Sequence, residues 1–187
     1  MKDVLTEAAA VPMYARGQIL PEDFEALVRA HQKRIYRILL MLLHDADEAN
    51  NLTQECFLRA YSRRFGFRGD AAPGTWLVRI AINLAHDQLR SRRNSFWKRL
   101  LHGKEAEAQS ASDQRPSPED TLLAHERLAA VWAAVGNLPA RQRMVFTLRF
   151  GEDMPLQEIA AAMKLREGTV KAQLFNAVNA VRRALLS

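Results

Sequence analysis

Hydrophobic residues recur at helical spacing along most of the chain, and the alternation typical of strands is absent. The clearest case lies between Leu156 and Leu186, where two short amphipathic segments meet at a polar break, Lys164 to Gly168. This arrangement is typical of a helix-turn-helix, in which the second helix is presented to a DNA groove. A helical hairpin that only closes a core would give the same pattern. The inward positions are Leu156, Ile159, Ala160 and Met163 in the first segment, and Val170, Leu174, Ala177, Val178 and Val181 in the second.

The same periodicity predicts further helices before this motif. A stripe from Phe24 to Leu42 predicts the first, and a polar break at 45–51 is predicted to precede a second over 52–64. In that second helix Cys56, Phe57, Ala60 and Tyr61 can face inward. Thr75 is a good N-cap for a third helix, which follows a loop rich in Gly and Pro. Two more helices are predicted at 122–135 and 140–150, the latter with Val145, Leu148 and Phe150 as its apolar residues.

Apolar periodicity is lost between residues 98 and 121, where Ala, Ser, Gln, Glu and two prolines collect. Such a composition is typical of a flexible, solvated linker. We therefore predict an all-α fold of two small helical domains joined by a flexible linker, with the helix-turn-helix in the C-terminal domain. The predicted units are a flexible N-terminal extension (1–22), a helical domain (23–97), the linker (98–121) and a helix-turn-helix domain (122–187).

Charge adds a candidate partner to this picture. The chain has 27 Lys and Arg against 21 Asp and Glu, a formal net charge of +6, which favours polyanions such as nucleic acid or an anionic membrane. Between Thr75 and Lys104 there are seven basic residues and one acidic residue. A solvated helix face usually mixes the two signs, so this stripe is more typical of phosphate contacts. Aromatic residues in and beside the preceding loop could hold an unstacked base: Phe65, Phe67 and Trp76.

Catalytic patterns are not found. The five histidines have no partner at zinc-site spacing, and there is no glycine-rich phosphate loop or nucleophile elbow. The single cysteine, Cys56, has an apolar context that suggests a packed thiol. No signal peptide or membrane-spanning run is seen. We therefore expect a cytoplasmic protein that is not an enzyme, has no cofactor, metal or small-molecule substrate, and is not inserted in a membrane.

Several stretches, in order, resemble the extracytoplasmic-function (ECF) group of bacterial sigma factors. LTQECFLRAY, residues 52–61, is similar to the polymerase-binding helix of that family. FRGDAAPGTWLVRIAINLAHDQLRSRR, starting at Phe67, is similar to its minus-ten-reading loop and helix. LPARQRMVFTLRF and LQEIAAAMKLREGTVKAQL are similar to its minus-thirty-five-binding domain. The resemblance covers about residues 23–186 and implies a factor that directs core RNA polymerase to promoter DNA and is itself held by an anti-sigma protein.

The resemblance also implies a role for individual residues. Contact with the clamp helices of the polymerase is implied for Gln54, Glu55, Leu58 and Arg59. Contact with the minus-ten element, including a pocket for a flipped base, is implied for Phe67, Arg68, Gly69, Asp70, Trp76, Arg79, Asn83, Arg90 and Arg93. Contact with the minus-thirty-five element is implied for Thr169, Lys171, Ala172, Gln173, Phe175, Asn176 and Asn179.

The chain departs from the family pattern at three places. Asn50 and Asn51 stand where an acidic pair is common, and 72–74 replaces a run that helps to set the flipped base. The recognition helix carries amides where relatives commonly place arginines, which favours readout of adenine. Two other classes stay open on the residues alone. A stand-alone helix-turn-helix regulator would bind duplex DNA without polymerase, and a nucleotide- or metal-dependent hydrolase would need ligands that the sequence does not supply.

Overall fold

The computed structural model describes the backbone of residues 19–101 and 119–186, and the side chains of 19–91 and 127–186. Within these ranges the chain forms seven α-helices and no strand, which confirms the predicted all-α class with two helical regions. A 3₁₀ turn, Arg64–Gly66, follows the second helix, and a π turn, Thr147–Gly151, follows the fifth. The helices are α1 Pro21–Leu43, α2 Ala46–Ser62, α3 Pro73–Leu101, α4 Glu119–Gly136, α5 Ala140–Phe146, α6 Leu156–Met163 and α7 Glu167–Leu186.

The polar segment between α1 and α2 is a tight corner, and the predicted break at 45–51 was wrong. His44 ends α1 in the left-handed conformation, at φ 53°, and its N–H donates to Leu40 O at 2.9 Å. The next residue, Asp45, accepts a hydrogen bond from the Glu48 N–H at 2.9 Å. A carboxylate at this position caps the free N–H groups of a helix, so α2 begins at Ala46 although its first turn is polar.

Helix α3 begins at Pro73, so its N-cap position is Ala72 and the predicted N-cap, Thr75, is wrong by three residues and lies buried in the first turn. Proline suits the first position of a helix because its missing N–H would have no partner there. Both α3 and α4 extend into the predicted linker, since α3 reaches Leu101 and α4 starts at Glu119. The remainder of that linker, 102–118, and residues 1–18 lie outside the described residues.

One hydrophobic core runs through both helical regions. Buried residues of α1, α2 and α3 form a single cluster with buried residues of the C-terminal region. A smaller second cluster lies inside the C-terminal region alone. Helix α3 has buried apolar residues on more than one face, and α1 and α2 pack on it as well as α5 and α6. The C-terminal residues in the shared core include Met144, Val145, Leu148, Met154, Ile159, Ala160, Ala162 and Val170.

Polar contacts also join the two regions. Glu152, just after the π turn, accepts from Arg34 Nε at 3.0 Å and from Arg37 Nε at 2.7 Å, both on α1. Arg143 of α5 donates to Leu42 O near the end of α1 at 3.0 Å. The two helical regions are therefore packed against each other, an arrangement that the prediction of separate domains on a linker did not include.

The helix-turn-helix lies where the sequence predicted it. Lys164 ends α6 in the left-handed conformation, at φ 54°, and α7 begins three residues later at Glu167. Ile159 and Ala160 of α6 and Val170 of α7 are buried. One predicted inward residue was wrong, because Tyr61 of α2 is exposed. Phe150 of the π turn is exposed as well. The π turn shifts the helical register after Phe146, which a regular helical pattern cannot foresee.

The single cysteine is held in the core. Cys56 is fully buried, and its Sγ donates to Leu77 O at 3.6 Å. Burial raises the pKa of this thiol to about 12. Since the thiolate is the reactive form of cysteine, Cys56 serves packing between α2 and α3 in this fold.

Two histidines make the stability of the fold sensitive to acid: His31 within α1 and His44 at its C-terminal end. Burial lowers the pKa of His31 and of His44 below the usual value of about 6.5, and nearby Arg34 and Arg143 add to these two shifts. Both groups are therefore neutral in the fold at pH values where the unfolded chain takes up a proton.

We expect the free energy of unfolding to be constant above about pH 7 and to fall as the pH drops below 6.5, by at most about 1.4 kcal/mol per histidine and pH unit. Urea unfolding at pH 7.5 and 5.5 measures this, and the His31→Gln variant should lose less stability on acidification. Equal losses in the variant and the parent protein would contradict a role for His31. The His44→Asn variant tests the second histidine, because asparagine tolerates a left-handed backbone. The expected change is smaller, because His44 is exposed.

Candidate functional site

The outer face of α2 carries an exposed leucine between charged and polar residues. Leu58 is 64% exposed, while Cys56, Phe57 and Ala60 hold the opposite side of the helix in the core. Glu55 and Arg59 pair across one turn, at 2.6 Å between Arg59 Nε and Glu55 Oε1. The structure thus brings together the four residues predicted to contact polymerase, Gln54, Glu55, Leu58 and Arg59, on one accessible face.

A cationic and aromatic group next to this face was missed from the sequence. The guanidinium of Arg64 lies 3.8 Å from the ring centroid of Tyr61 and 4.2 Å from that of Phe65. Both rings are exposed. The sequence prediction ended the second helix at Arg64, turned Tyr61 inward and named Phe65 with the following loop, because a register for the end of α2 could not be derived from spacing.

The loop between α2 and α3 forms a cavity of about 330 Å³ with an aromatic floor. Phe67 is almost fully buried there, and its ring centroid lies 5.2 Å from that of Trp76. Gly69 takes a φ of 74°, which favours glycine and lets the loop turn over the floor. The lining residues are Gly66, Phe67, Arg68, Gly69, Asp70, Ala71, Trp76, Arg79 and Lys164.

This cavity unites six of the residues predicted for minus-ten contact with a residue of the C-terminal region. Phe67, Arg68, Gly69, Asp70 and Trp76 enclose it, and Arg79 of α3 closes one side. An aromatic floor with an arginine at its edge can stack a planar base and pair with a phosphate. Lys164, from the turn between α6 and α7, stands at the same rim and had no signal in the sequence.

The predicted stripe on α3 lies along the cleft between the two helical regions. Asn83 is exposed and lines a cavity of about 110 Å³ together with Met144, Met163 and Leu165. Arg90 is exposed and lines a cleft of about 460 Å³ with residues of the turn after α4. The side chain of Arg93 lies outside the described residues.

Helix α7 presents a mixed polar and aromatic face to solvent. Phe175 is 68% exposed, and an apolar ring in that position favours a contact with a partner. Lys171 pairs with Glu167 at 2.7 Å. Of the residues predicted for minus-thirty-five contact, five are exposed and two, Gln173 and Asn179, are partly buried. The exposed five are Thr169, Lys171, Ala172, Phe175 and Asn176.

Asn176 and Asn179 share a shallow depression with three polar residues that the minus-thirty-five prediction left out. Its volume is about 570 Å³, and Gln142 of α5 lines it with Arg182 and Arg183 of α7. Amides can form paired hydrogen bonds to adenine, and arginines next to them can hold phosphates. The spacing of Arg182 and Arg183 on α7 could have placed them beside Asn179. Gln142 lies beside these residues only because α5 packs on α7.

Two further findings concern the described residues. No group of three or more His, Cys, Asp or Glu side chains among them could hold a metal ion. Within the same residues, no helix is both long and apolar enough to cross a membrane.

Comparison with known proteins agrees with this geometry. Residues 27–95 match the family model of sigma-70 region 2, and residues 128–181 match that of sigma-70 region 4. The chain is 36% identical over 165 residues to the RNA polymerase sigma-H factor of Pseudomonas aeruginosa, which covers 87% of this chain and 86% of that protein. It is 30% identical over 184 residues to the ECF RNA polymerase sigma-E factor of Escherichia coli, covering 97% and 95%.

Solved structures show the same fold. The sigma factor RpoE of Bartonella quintana, in complex with the anti-sigma factor NepR, aligns with a TM-score of 0.68 and 21% identity over 88% of this chain and 97% of that one. CnrH, in complex with the cytosolic domain of CnrY, aligns with a TM-score of 0.61 and 20% identity over 88% of both chains. With region 2 carrying the aromatic cavity and region 4 carrying the helix-turn-helix, the chain belongs to the ECF group of bacterial sigma factors, transcription initiation factors that direct RNA polymerase to promoters.

Proposed function

We propose that this chain binds core RNA polymerase through the outer face of α2 and contacts promoter DNA at two separate sites. Gln54, Glu55, Leu58 and Arg59 would form the polymerase contact. The observation that carries the proposal is the exposed Leu58, which has no packing role in the fold. A leucine that exposes about two thirds of its surface to solvent, between charged neighbours, is suited to a contact with a helix of a partner protein.

The minus-ten element would be held as a melted strand. A base flipped out of the stack would enter the cavity over Phe67 and Trp76, where the loop would hold it. Asn83 lines a separate gap one turn beyond Arg79 on α3, and from there it would take part in reading the base. Arg79, Arg90 and Arg93 would hold the neighbouring backbone. Flipping costs a few kcal/mol of unstacking, and stacking on aromatic rings returns about 1–3 kcal/mol for each base. The energy for strand opening would therefore come from binding, without catalysis, ATP, a cofactor or a metal.

The minus-thirty-five element would be held as duplex. The exposed residues of α7 from Thr169 to Asn176 would enter the major groove, with Asn179 at the edge of the contact. The N-terminus of α7 would lie close to a phosphate. Such a factor would act in the cytoplasm, without insertion into a membrane. Since NepR is an anti-sigma factor bound to a protein of the same fold, we propose that an anti-sigma partner also controls this chain.

Reconstituted transcription tests the proposal. With core RNA polymerase and genomic DNA of the source organism, the purified chain should produce transcripts from discrete start sites that polymerase alone does not produce. Absence of a stable complex with core, or of start sites that depend on the chain, would refute it. A stand-alone duplex-binding regulator, the alternative, would retard duplex DNA without polymerase and would need neither Leu58 nor the aromatic cavity.

A further inference from the structure

The cleft between α3 and the turn after α4 gathers positive charge. Its volume is about 460 Å³, and its walls come from both helical regions. Two of its basic side chains, His86 and Arg90, belong to α3, and a third, Arg143, belongs to α5. Among the described residues that line it, none is acidic. We call this space the cationic cleft.

The charge of Arg143 is not neutralised by a carboxylate of the described chain. One terminal nitrogen donates to Leu42 O at 3.0 Å, and the other donates to the carbonyl oxygens of Gly136 and Leu138. The third nitrogen, Nε, is buried and has no hydrogen-bond partner among the described residues. The carbonyls complete hydrogen bonds but carry no net charge. Burial therefore lowers the pKa of Arg143, because the charged form is partly removed from water.

The other two basic groups of the cationic cleft are not neutralised either. Arg90 is exposed and makes no ion pair with a described residue. Asp87 Oδ1 lies 3.8 Å from His86 Nδ1, but its carboxylate is 77% exposed and does not line the cleft. Like charges that share a partly buried space repel one another. A bound anion would relieve both this repulsion and the cost of burying Arg143.

The rest of the cationic cleft suits a planar ring. Leu89, Leu138 and Pro139 give it an apolar wall, and Asn137 adds an amide. Sites for small molecules commonly combine apolar walls with a few polar groups, in volumes of about 300–1,000 Å³. Guanidinium groups form paired hydrogen bonds with phosphate oxygens. An apolar wall, an amide and two arginines in one cleft therefore match a nucleoside that carries phosphates.

We propose that the cationic cleft binds a free nucleoside polyphosphate. Its phosphates would lie on Arg90 and Arg143, with His86 beside them, and its base would lie on the apolar wall within reach of Asn137. A strand of nucleic acid offers the same two groups, a base and a phosphate. The free ligand fits better because a polyphosphate concentrates several negative charges on one small molecule, whereas each DNA phosphate carries one. This site goes beyond the proposed function, since it needs neither polymerase nor promoter.

Titration with ATP and with inorganic pyrophosphate tests the proposal. Isothermal titration calorimetry of the full chain, in buffer free of divalent cations and at physiological ionic strength, should give one ATP per chain. Pyrophosphate should bind more weakly, because it lacks the base. The Arg90→Ala variant should bind both probes about tenfold more weakly, since it loses a charged hydrogen bond.

A second variant separates the base from the phosphates. Asn137→Ala should weaken ATP binding about fivefold, the effect of one neutral hydrogen bond, and should leave pyrophosphate binding unchanged. The matched control is Arg127→Ala, which removes the same charge from an exposed position of α4, ten residues before Asn137 and about 15 Å away along the helix axis. This control should bind both probes as the parent chain does.

Thermal unfolding shows whether each variant is folded, and ATP should raise the unfolding temperature of the parent chain, because it binds the folded form. The proposal is overturned if the parent binds no ATP, if either cleft variant binds ATP as tightly as the parent, or if Arg127→Ala weakens binding as much as Arg90→Ala. A titration with single-stranded DNA of random sequence distinguishes the two sources of a base and phosphate. DNA binding that depends on Arg90 and Asn137, in a chain that binds no ATP, assigns the cleft to nucleic acid and also overturns the proposal. Weaker ATP binding in both cleft variants, with the control unchanged, supports it.

Discussion

Replacing Leu58 and Arg59 together with glutamate is expected to reduce promoter-dependent transcription at least about a hundredfold, by loss of the complex with core polymerase. Leu58 is the largest apolar group on the exposed face of α2, and Arg59 lies beside it. Hot-spot residues at the centre of an interface cost about 2–4 kcal/mol or more when they are lost, and about 1.4 kcal/mol corresponds to a tenfold change in affinity. Two carboxylates in place of a leucine and a cation remove the apolar contact and reverse the charge.

The fold itself should tolerate this change. Neither side chain contributes to the core, and the pair between Arg59 and Glu55 is exposed, so its loss costs at most about 1 kcal/mol. The measurements are co-elution with core polymerase, transcript yield and thermal unfolding. An unchanged unfolding temperature with no complex would place the defect at the interface.

The chain offers a matched control in Arg127 and Leu128. These neighbours on α4 are also an arginine and a leucine, both exposed, with Leu128 at 54%. Changing both to glutamate alters the net charge by the same amount at a different site. The control should keep its complex with polymerase, and both double variants should bind minus-thirty-five duplex DNA equally well. Equal loss of polymerase binding in the two would contradict the assignment of the α2 face.

The helices of this protein could be predicted from apolar spacing because each one has a continuous buried stripe. The stripes of α6 and α7 are short but regular, and Ile159, Val170 and Ala177 lie in the core as predicted. Helix ends were harder, since they depend on single polar contacts. The cap that Asp45 provides for α2 and the start of α3 at Pro73 both lie in stretches that periodicity assigns to loops.

The packing between the two helical regions was not predicted, although part of its signal was present. Residues 77–85 of α3 include apolar side chains on more than one face, Val78 and Ile82 among them, and a helix that is apolar all round is typical of one buried on several sides. The spacing of apolar residues could not show which segment of the chain packs on this helix. Glu152 is separated from Arg34 by 118 residues, and nothing local distinguishes a buried acid from the exposed Asp153 beside it.

The candidate site residues fall into two groups, those placed by a single helix and those placed by tertiary contacts. The positions on single helices, such as Leu58 and Phe175, could be assigned to outer faces from their spacing, and they are exposed. Groups that depend on tertiary contacts were missed, including Lys164 at the rim of the aromatic cavity and Gln142 beside Asn176. The prediction of roles for these residues rests on the family, and mutation is what tests it.

Replacing Asn83 with alanine is expected to lower transcription from a duplex promoter about thirtyfold. Asn83 is exposed on α3, so its removal should leave the fold intact. In the proposed open complex its amide would bond the edge of a flipped base, and loss of such a bond leaves a buried polar group unpaired, at a cost of about 2 kcal/mol. That cost corresponds to roughly thirtyfold in the population of the open complex.

A premelted template separates this role from a general loss of binding. When the minus-ten region is already unpaired, opening requires no unstacking energy from Asn83, so the defect should shrink to about threefold or less. The matched control is Gln88→Ala, an amide five residues further along α3, about 140° around the helix from Asn83. Both variants should bind minus-thirty-five duplex DNA as well as the parent protein does, because α7 would make that contact. A defect of equal size on duplex and premelted templates, or one shared by the Gln88 control, would show that Asn83 does not act by holding a flipped base.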